Sequence, residues 1–209
     1  MSPQPPPWLA TLVAAAGGLQ ASDLSQHVAP AEGGRESAVL VLFGEGPQGP
    51  DVLIIERSGL SRQHAGQAAF PGGGVEPHDD GPASTALREA VEETGLEPTG
   101  VEILVELPAL WLPPTGFVVV PVLAWWRSPS AVAAADPNEV AAVARVPIAR
   151  LVDPANRFLM RHPSGYVGAA FEVDDLVVWG FTAGLLSRLL EIGGWALPWE
   201  PDVRDLPAL

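Results

Sequence analysis

The chain has 209 residues and a formal net charge of −14, set by 25 acidic residues against eleven basic ones, all of them Arg. That balance argues against non-specific binding to nucleic acid or to an anionic membrane, and no run reaches the ~18–20 apolar residues a membrane span needs. Cysteine is absent, which excludes a disulfide framework, a thiol nucleophile and a Cys-based zinc site, and fits a cytoplasmic protein.

In chain order, residues 8–16 form an apolar stretch without a basic flank, with prolines crowding its start. It reads as a short helix packed on the domain rather than a signal peptide. Residues 1–37 are thus an N-terminal helix and loop, and 38–209 the main domain. Residues 21–36 and 45–51 are rich in Gly, Pro and polar residues and read as loops. Val39–Phe43 and Val52–Arg57 read as buried strands. The Gly-rich run Phe70-Pro71-Gly72-Gly73-Gly74 leads to a helix over 81–94, with Asp80 as N-cap, Pro82 in its first turn and Gly95 just past its end. Glu102–Leu107 and Phe117–Trp126 are strands, 127–138 an external connection, and Val140–Val146 a weaker strand. Tyr166–Val173 pairs with Leu176–Val178 across the turn at Asp174-Asp175. Phe181, Leu185, Leu189 and Ile192 recur at helical spacing and predict a helix over Trp179–Ile192.

The chemistry concentrates in the helix over 81–94. Glu89, Glu92 and Glu93 fall at i, i+3 and i+4 and share one face, with Leu87, Ala90, Val91 and Thr94 on the other. Like charges so close repel, and either solvent or a divalent cation must offset them. Carboxylate oxygens are hard ligands that suit Mg2+ or Mn2+. Three glycines just upstream let backbone approach such a cation or its phosphate ligand, because no Cβ intervenes.

The segment from Gly74 to Leu96 resembles the Nudix box, G-x5-E-x7-R-E-U-x-E-E-x-G-U. Gly74, Arg88, Glu89, Glu92, Glu93, Gly95 and Leu96 match in register, Asp80 stands where the pattern has Glu, and Ala90 is small for an aliphatic position. Upstream, Leu53 to Gly73 resembles LLTxR(S/A)x3Rx3Gx3FPGG of the coenzyme A pyrophosphatase branch: Arg57, Ser58, Arg62, Gly66 and the Phe-Pro-Gly-Gly run align, with Ile54 and Ile55 replacing Leu and Thr. Further likeness at Leu107-Pro108, Thr115-Gly116-Phe117, Asn138-Glu139-Val140 and Trp179-Gly180 extends the resemblance over about residues 38 to 192. It implies an α/β (α+β) fold, the Nudix α/β/α sandwich with a mixed β-sheet.

The resemblance implies hydrolysis of the pyrophosphate of coenzyme A, or of an acyl derivative, to 3′,5′-ADP and 4′-phosphopantetheine. Glu89, Glu93 and Glu92 are the implied metal ligands, with Gly73 adding a backbone carbonyl; Glu92 alternatively positions the water, and Glu89 and Glu92 are the catalytic candidates. Arg88 is placed to pair with Glu92 one turn on. Glu139 is a further candidate base, weighed against an ordinary strand-edge acid. Arg57, Arg62, His64 and Gln67 are the substrate-binding candidates, since local cations must attract a polyanion to so acidic a chain; for the arginines, pairing with nearby acids such as Glu56 is the alternative. A partner is therefore a small nucleotide of the coenzyme A class, and the sequence admits a homodimer. ADP-ribose, NADH or a nucleoside triphosphate would present the same pyrophosphate, and a Nudix fold kept as a ligand sensor is a third reading. The loop 108–116, with Trp111 and three prolines, departs most from the branch pattern.

Overall fold

A computed structural model describes residues 4–27, 33–59, 66–113 and 115–206. Two helices come first, α1 (Pro7–Ala16) and α2 (Ala21–Leu24), followed by β1 (Arg35–Gly46), β2 (Gly49–Arg57), β3 (Ala68–Ala69), β4 (Gly72–Gly74) and α3 (Pro82–Thr94). The chain continues through β5 (Val101–Glu106), β6 (Leu110–Leu112), β7 (Phe117–Trp126), β8 (Val140–Pro147) and α4 (Ile148–Val152). It ends with β9 (Arg157–Arg161), β10 (Val167–Val173), β11 (Leu176–Val178), α5 (Gly180–Ile192) and β12 (Val203–Asp205).

β1 and β7 lie parallel at the centre of an eight-stranded mixed sheet ordered β3-β2-β1-β7-β5, with β4 added to β1, β6 to β7 and β8 to β2. Both central strands are nearly continuous apolar runs because both their faces are covered. On one face Leu40, Leu42, Val122, Ala124 and Trp126 pack against Ala86 and Ala90 of α3. On the other, Val41, Phe43 and Leu123 join Leu9 and Leu12 of α1 and Leu185, Leu186 and Leu189 of α5. Fully burying each such side chain stabilises the fold by about 1.5–3 kcal/mol before entropy is counted. The result is a mixed α/β fold with helices on both faces of a mixed sheet, as the resemblance implied.

Several expectations shift in detail. Residues 45–51 are mostly strand, because β1 and β2 run into one hairpin with Gly46 opposite Gly49. Residues 21–36 contain α2 and the start of β1. A second sheet, ordered β11-β10-β9-β12, includes the anticipated pairing of β10 with β11 and two strands that periodicity did not signal. β9 is five residues between irregular segments and gains strand conformation by pairing along its whole length with β10; β12 is three exposed residues and gains it by pairing with β9.

Candidate active site

The acid-bearing helix begins one residue later than its sequence signals imply. Gly81, not Asp80, is the N-cap, and no local side chain caps it. Instead Glu106, arriving from β5, accepts from the Ala83 N–H at 3.1 Å, placing a carboxylate at the positive end of the helix. Asp80 is exposed. At the other end Gly95 is left-handed (φ 66°) and its N–H closes on Val91 O, as expected of a C-terminal glycine. The fully buried stripe is Thr85, Ala86, Ala90 and Thr94, with Leu87 and Val91 only half-buried. Two alanines on that stripe let α3 sit close against Leu40 and Leu42.

Arg88 organises the acids. Its Nε and Nη2 donate to the two oxygens of Asp79, both at 3.0 Å. Its Nη1 donates to Glu89 Oε1 at 3.0 Å and to Glu92 Oε2 at 3.1 Å, and Nη2 also reaches Gly74 O at 3.0 Å. One guanidinium thus ties the Gly-rich loop, the turn before the helix and two of the three glutamates together. Asp79 is the anchor: its side chain is 1% exposed, and it also accepts from Thr85 Oγ1 and the Glu76 N–H. The Arg88 hydrogen bonds hold its carboxyl well below the usual range. Sequence alignment points to Asp80, one position on; only the paired Asp79-Asp80 hinted at the neighbour, because a turn carries no periodicity.

The other two glutamates part company. Glu93, nominally on the polar face, is 6% exposed. Its Oε2 accepts from the Gly72 N–H at 3.0 Å, and Arg57 Nη1 lies 3.7 Å from Oε1. Burial pushes its carboxyl up to about 7, against the Gly72 hydrogen bond and Arg57, with Glu89 and Glu139 adding repulsion. Glu89 is one turn back with its carboxyl also raised, first by burial. It lies so close to Gly73 that any Cβ there would overlap its carboxylate. Glu92 points outward, its side chain 59% exposed and held by Arg88.

The structure therefore brings Glu89, Glu93, Gly73 and Arg57 together and leaves Glu92 on the rim. Glu139 approaches from the segment before β8, its carbonyl accepting from the Ser58 N–H at 2.8 Å beside Arg57. Gln67 takes part through its main chain: its carbonyl accepts from the Arg57 N–H at 3.0 Å, and the Gly66 N–H donates to Arg57 O at 2.9 Å. These bonds fold the segment before the Gly-rich loop back onto the end of β2. Arg62 and His64 lie outside the described residues.

Among the described residues, no three His, Cys, Asp or Glu side chains are gathered tightly enough to enclose a metal on their own. The donor chemistry nonetheless fits Mg2+ or Mn2+. Such ions keep several waters and take one or two protein carboxylates plus substrate phosphates, rather than an all-protein cage. Glu89 and Glu93 are two carboxylates on adjacent turns, one buried enough to resist ionisation, with side-chain-free Gly73 against Glu89 and the Gly72 N–H on Glu93. A cation is what relieves such a pair.

Residues 34–165 match the NUDIX domain family, and the chain belongs to it. The Nudix hydrolase NudL of Escherichia coli O7:K1 (strain IAI39 / ExPEC), itself uncharacterised, is 37% identical over 167 residues, covering 76% of this chain and 83% of its own. NudL of Klebsiella pneumoniae (strain 342) is 38% identical over the same extent. Among solved structures, the Nudix hydrolase RenU of M. Smegmatis superposes with a TM-score of 0.52 at 22% identity, covering 82% of this chain and 92% of its own. A NUDIX hydrolase from Nitrosomonas europaea gives a TM-score of 0.52 at 15% identity, covering 87% and 84%. These two share the fold. The protein is a Nudix hydrolase acting on a pyrophosphate-containing substrate. Among its described residues, no helix is long and apolar enough to cross a membrane.

Proposed function

We propose that the protein is a divalent-metal-dependent coenzyme A diphosphatase, cleaving coenzyme A or acyl-coenzyme A to 3′,5′-ADP and 4′-phosphopantetheine or its acylated form. The observation that carries this reading is the way the motif upstream of the box is built into the site. Arg57 ends β2 beside Glu93, and the returning Gly66-Gln67 segment is hydrogen-bonded to the Arg57 backbone. The Phe-Pro-Gly-Gly run that follows supplies the Gly72 N–H to Glu93. The motif resembling the coenzyme A branch thus packs directly against Glu93, which supports this reading.

Bound between Glu89 and Glu93, Mg2+ or Mn2+ would supply Lewis-acid neutralisation of the pyrophosphate oxygens and a water of lowered pKa. The chain's residues do the rest. Arg88 fixes the Glu89 carboxylate through Oε1, and Gly73, lacking a Cβ, leaves room for that carboxylate against the loop. Arg57, a third exposed, offers a guanidinium to phosphate oxygens next to Glu93. Glu92 on the rim and Glu139 beside Glu93 are the carboxylates placed to take the proton from the attacking water. Water adds to one phosphorus, the bridging P–O bond breaks, and the departing phosphate keeps the bridging oxygen.

The test is product analysis by mass after incubation with coenzyme A, ADP-ribose and NADH, each with Mg2+ or Mn2+. Release of 3′,5′-ADP and phosphopantetheine, with the other two compounds slow, is the expected result. Fast cleavage of ADP-ribose or NADH with coenzyme A untouched would refute the substrate assignment and retain the hydrolase.

A further inference from the structure

The Gly-rich strand β4 meets different chemistry at its two ends. At the Gly72 end the N–H donates to Glu93, and Arg57 lies 3.7 Å from that carboxylate. At the Gly74 end the chain turns into a cleft of about 920 Å³, lined by Gly34, Glu36, Gly74, Val75, Glu76 and Val118 among others. The two candidate metal ligands sit between these ends, Glu93 on Gly72 and Glu89 against Gly73.

Direct contacts join the cleft to the carboxylates. Arg88 Nη2 holds Gly74 O at 3.0 Å while its Nη1 holds Glu89 Oε1 at 3.0 Å. Glu76 Oε1 lies 4.0 Å from the same Nη1. Glu76 also adds to the repulsion that, after burial, raises the Glu89 carboxyl. Alternation along β1 agrees. Glu36 shares a face with Ala38 and Leu40; Ala38 is the register partner of Gly73, and Leu40 packs on α3. Val118 is the partner of Glu36 on β7, and Trp111 that of Val118 on β6, so both belong to this face. A Cβ on Gly34 would overlap Val118 and come within 3.2 Å of Trp111, so the bare glycine lets the indole close the far side. Arg35 and Phe117 also border the cleft, but alternation turns their side chains to the other face of the sheet. There the guanidinium lies on the Phe117 ring and donates to Thr115 O.

On the metal-site face, then, the cleft presents two carboxylates and the apolar Val75, Val118 and Trp111, with Val75 40% exposed. Such a surface repels any phosphate beyond those the metal holds and accepts an uncharged, methyl-bearing chain. The Gly72 end offers a guanidinium instead. Coenzyme A is asymmetric in the same sense. Its nucleoside half carries an additional 3′-phosphate, whereas its pantetheine arm is uncharged and has a geminal dimethyl group next to the phosphate ester. The volume lies within the range of about 300–1,000 Å³ usual for a small-molecule subsite. We propose that the substrate lies along β4 with its pantetheine arm in the cleft at Val75 and Val118, and its 3′-phosphoadenosine half toward Arg57. The assignment rests on the coenzyme A reading and adds the direction in which that substrate is bound.

The test titrates 4′-phosphopantetheine and 3′,5′-ADP separately into the full chain in Mg2+ buffer by calorimetry, using the parent, Val75→Asp and Val75→Lys. Neither probe contains a pyrophosphate, so neither is turned over. The expected result is phosphopantetheine bound about 10-fold more weakly in both variants, because either charge displaces an apolar contact, with 3′,5′-ADP within about 2-fold of the parent. A bisphosphate seated in the cleft would instead bind more tightly to Val75→Lys and more weakly to Val75→Asp, and that opposite movement would overturn the proposal. So would phosphopantetheine binding that is unchanged in either variant or absent in the parent, or a loss of 3′,5′-ADP affinity as large as that of phosphopantetheine. Unfolding midpoints within error of the parent confirm that the variants fold, since the Val75 side chain is exposed. A protein that cleaves coenzyme A while its phosphopantetheine affinity ignores Val75 keeps its proposed function and loses this orientation. One that binds phosphopantetheine through Val75 yet leaves coenzyme A intact does the reverse.

Discussion

Replacing Glu93 with Gln tests the tension on which the site is built. In the folded protein burial raises the Glu93 carboxyl from an ordinary 4.5 to about 7. At ~1.4 kcal/mol per tenfold change in proton affinity, holding it ionised above pH 7 without a metal costs the fold about 3 kcal/mol. The sign follows from the direction. A folded-state pKa above the unfolded one means that the folded protein binds the proton more tightly. The penalty is therefore absent below about pH 4.5, grows as pH rises through the window from 4.5 to 7, and is complete above it. Glu93→Gln keeps the acceptor for the Gly72 N–H and has no charge to bury. Its loss of the Arg57 pair is small, ~0–1 kcal/mol, because Arg57 is a third exposed. Urea unfolding in EDTA should find the variant and parent similar at pH 5 and the variant more stable by about 2–3 kcal/mol at pH 8. In a chain of this size that is roughly 5–10 °C in Tm. Adding Mg2+ or Mn2+ should stabilise the parent and not the variant, and hydrolysis should be abolished. If the two proteins lose stability in parallel between pH 5 and pH 8, burial of an ionised Glu93 is not the operative feature. Full activity in the variant would remove Glu93 from the catalytic set.

Asp79→Asn should lower both activity and Tm, while Asp80→Asn leaves both near the parent; equal effects would refute the assignment of the Arg88 anchor to Asp79. Because the Asp79 carboxyl is held below its ordinary value, its contribution is present above about pH 4 and fades as pH falls through its folded pKa, so acid unfolding curves should lose that step in Asp79→Asn. Gly73→Ala, which pushes a methyl into the Glu89 carboxylate, should cut turnover by roughly 10- to 100-fold in a protein that still unfolds cooperatively, and unchanged kinetics would show that the carboxylate is not held there. Asp51→Ala removes the partner of Arg145, whose Nη2 lies 2.8 Å from Asp51 Oδ2. Urea titration should show a loss of about 2–3 kcal/mol, below the ~3–5 of a fully enclosed pair because Arg145 is a quarter exposed; a change under about 0.5 kcal/mol would contradict it.

What could be read from the sequence was whatever repeats with a period or carries fixed spacing. β7 (Phe117–Trp126) and the β10–β11 hairpin were legible because runs of β-branched and aromatic residues lie between clear breakers. The acid helix was legible because its glycine end and three carboxylates follow helical spacing. What escaped depends on chain reversal. A strand of three glycines, β4, has no propensity of its own and exists because the edge of β1 accepts it. The anchor Asp79 and the helix-capping Glu106 act across turns of the chain, where a one-residue slip leaves the pattern intact and changes the chemistry. Periodicity places Glu93 on the carboxylate face of the helix but does not report its burial, which is decided by the Gly-rich loop folding over that face.

The structure also changes the reason for expecting a metal. From the sequence, three glutamates on one helix face repel and need an external counter-charge. In the fold, Arg88 already meets part of that need by bridging Glu89 and Glu92, and Glu92 escapes to solvent. What remains uncompensated is narrower: Glu93, shut in behind Gly72, with Arg57 at 3.7 Å as its only salt-bridge partner among the described residues and Glu89 one turn away. A carboxylate in that position is poorly solvated and weakly paired, so a divalent cation gains more there than at a solvated acidic patch. Arg88 then has a second consequence. Its Nη1 holds Glu89 Oε1, the oxygen nearest Gly73, while its Nη2 holds Gly74 O, so the carboxylate is fixed against the Gly-rich loop before any ion arrives. Loss of Arg88 should accordingly weaken metal binding more than loss of Glu92 does, although Arg88 carries the same sign of charge as the ion. Titrating Mn2+ into Arg88→Gln and Glu92→Gln by electron paramagnetic resonance compares the two, and tighter binding in Arg88→Gln than in the parent would refute the orienting role.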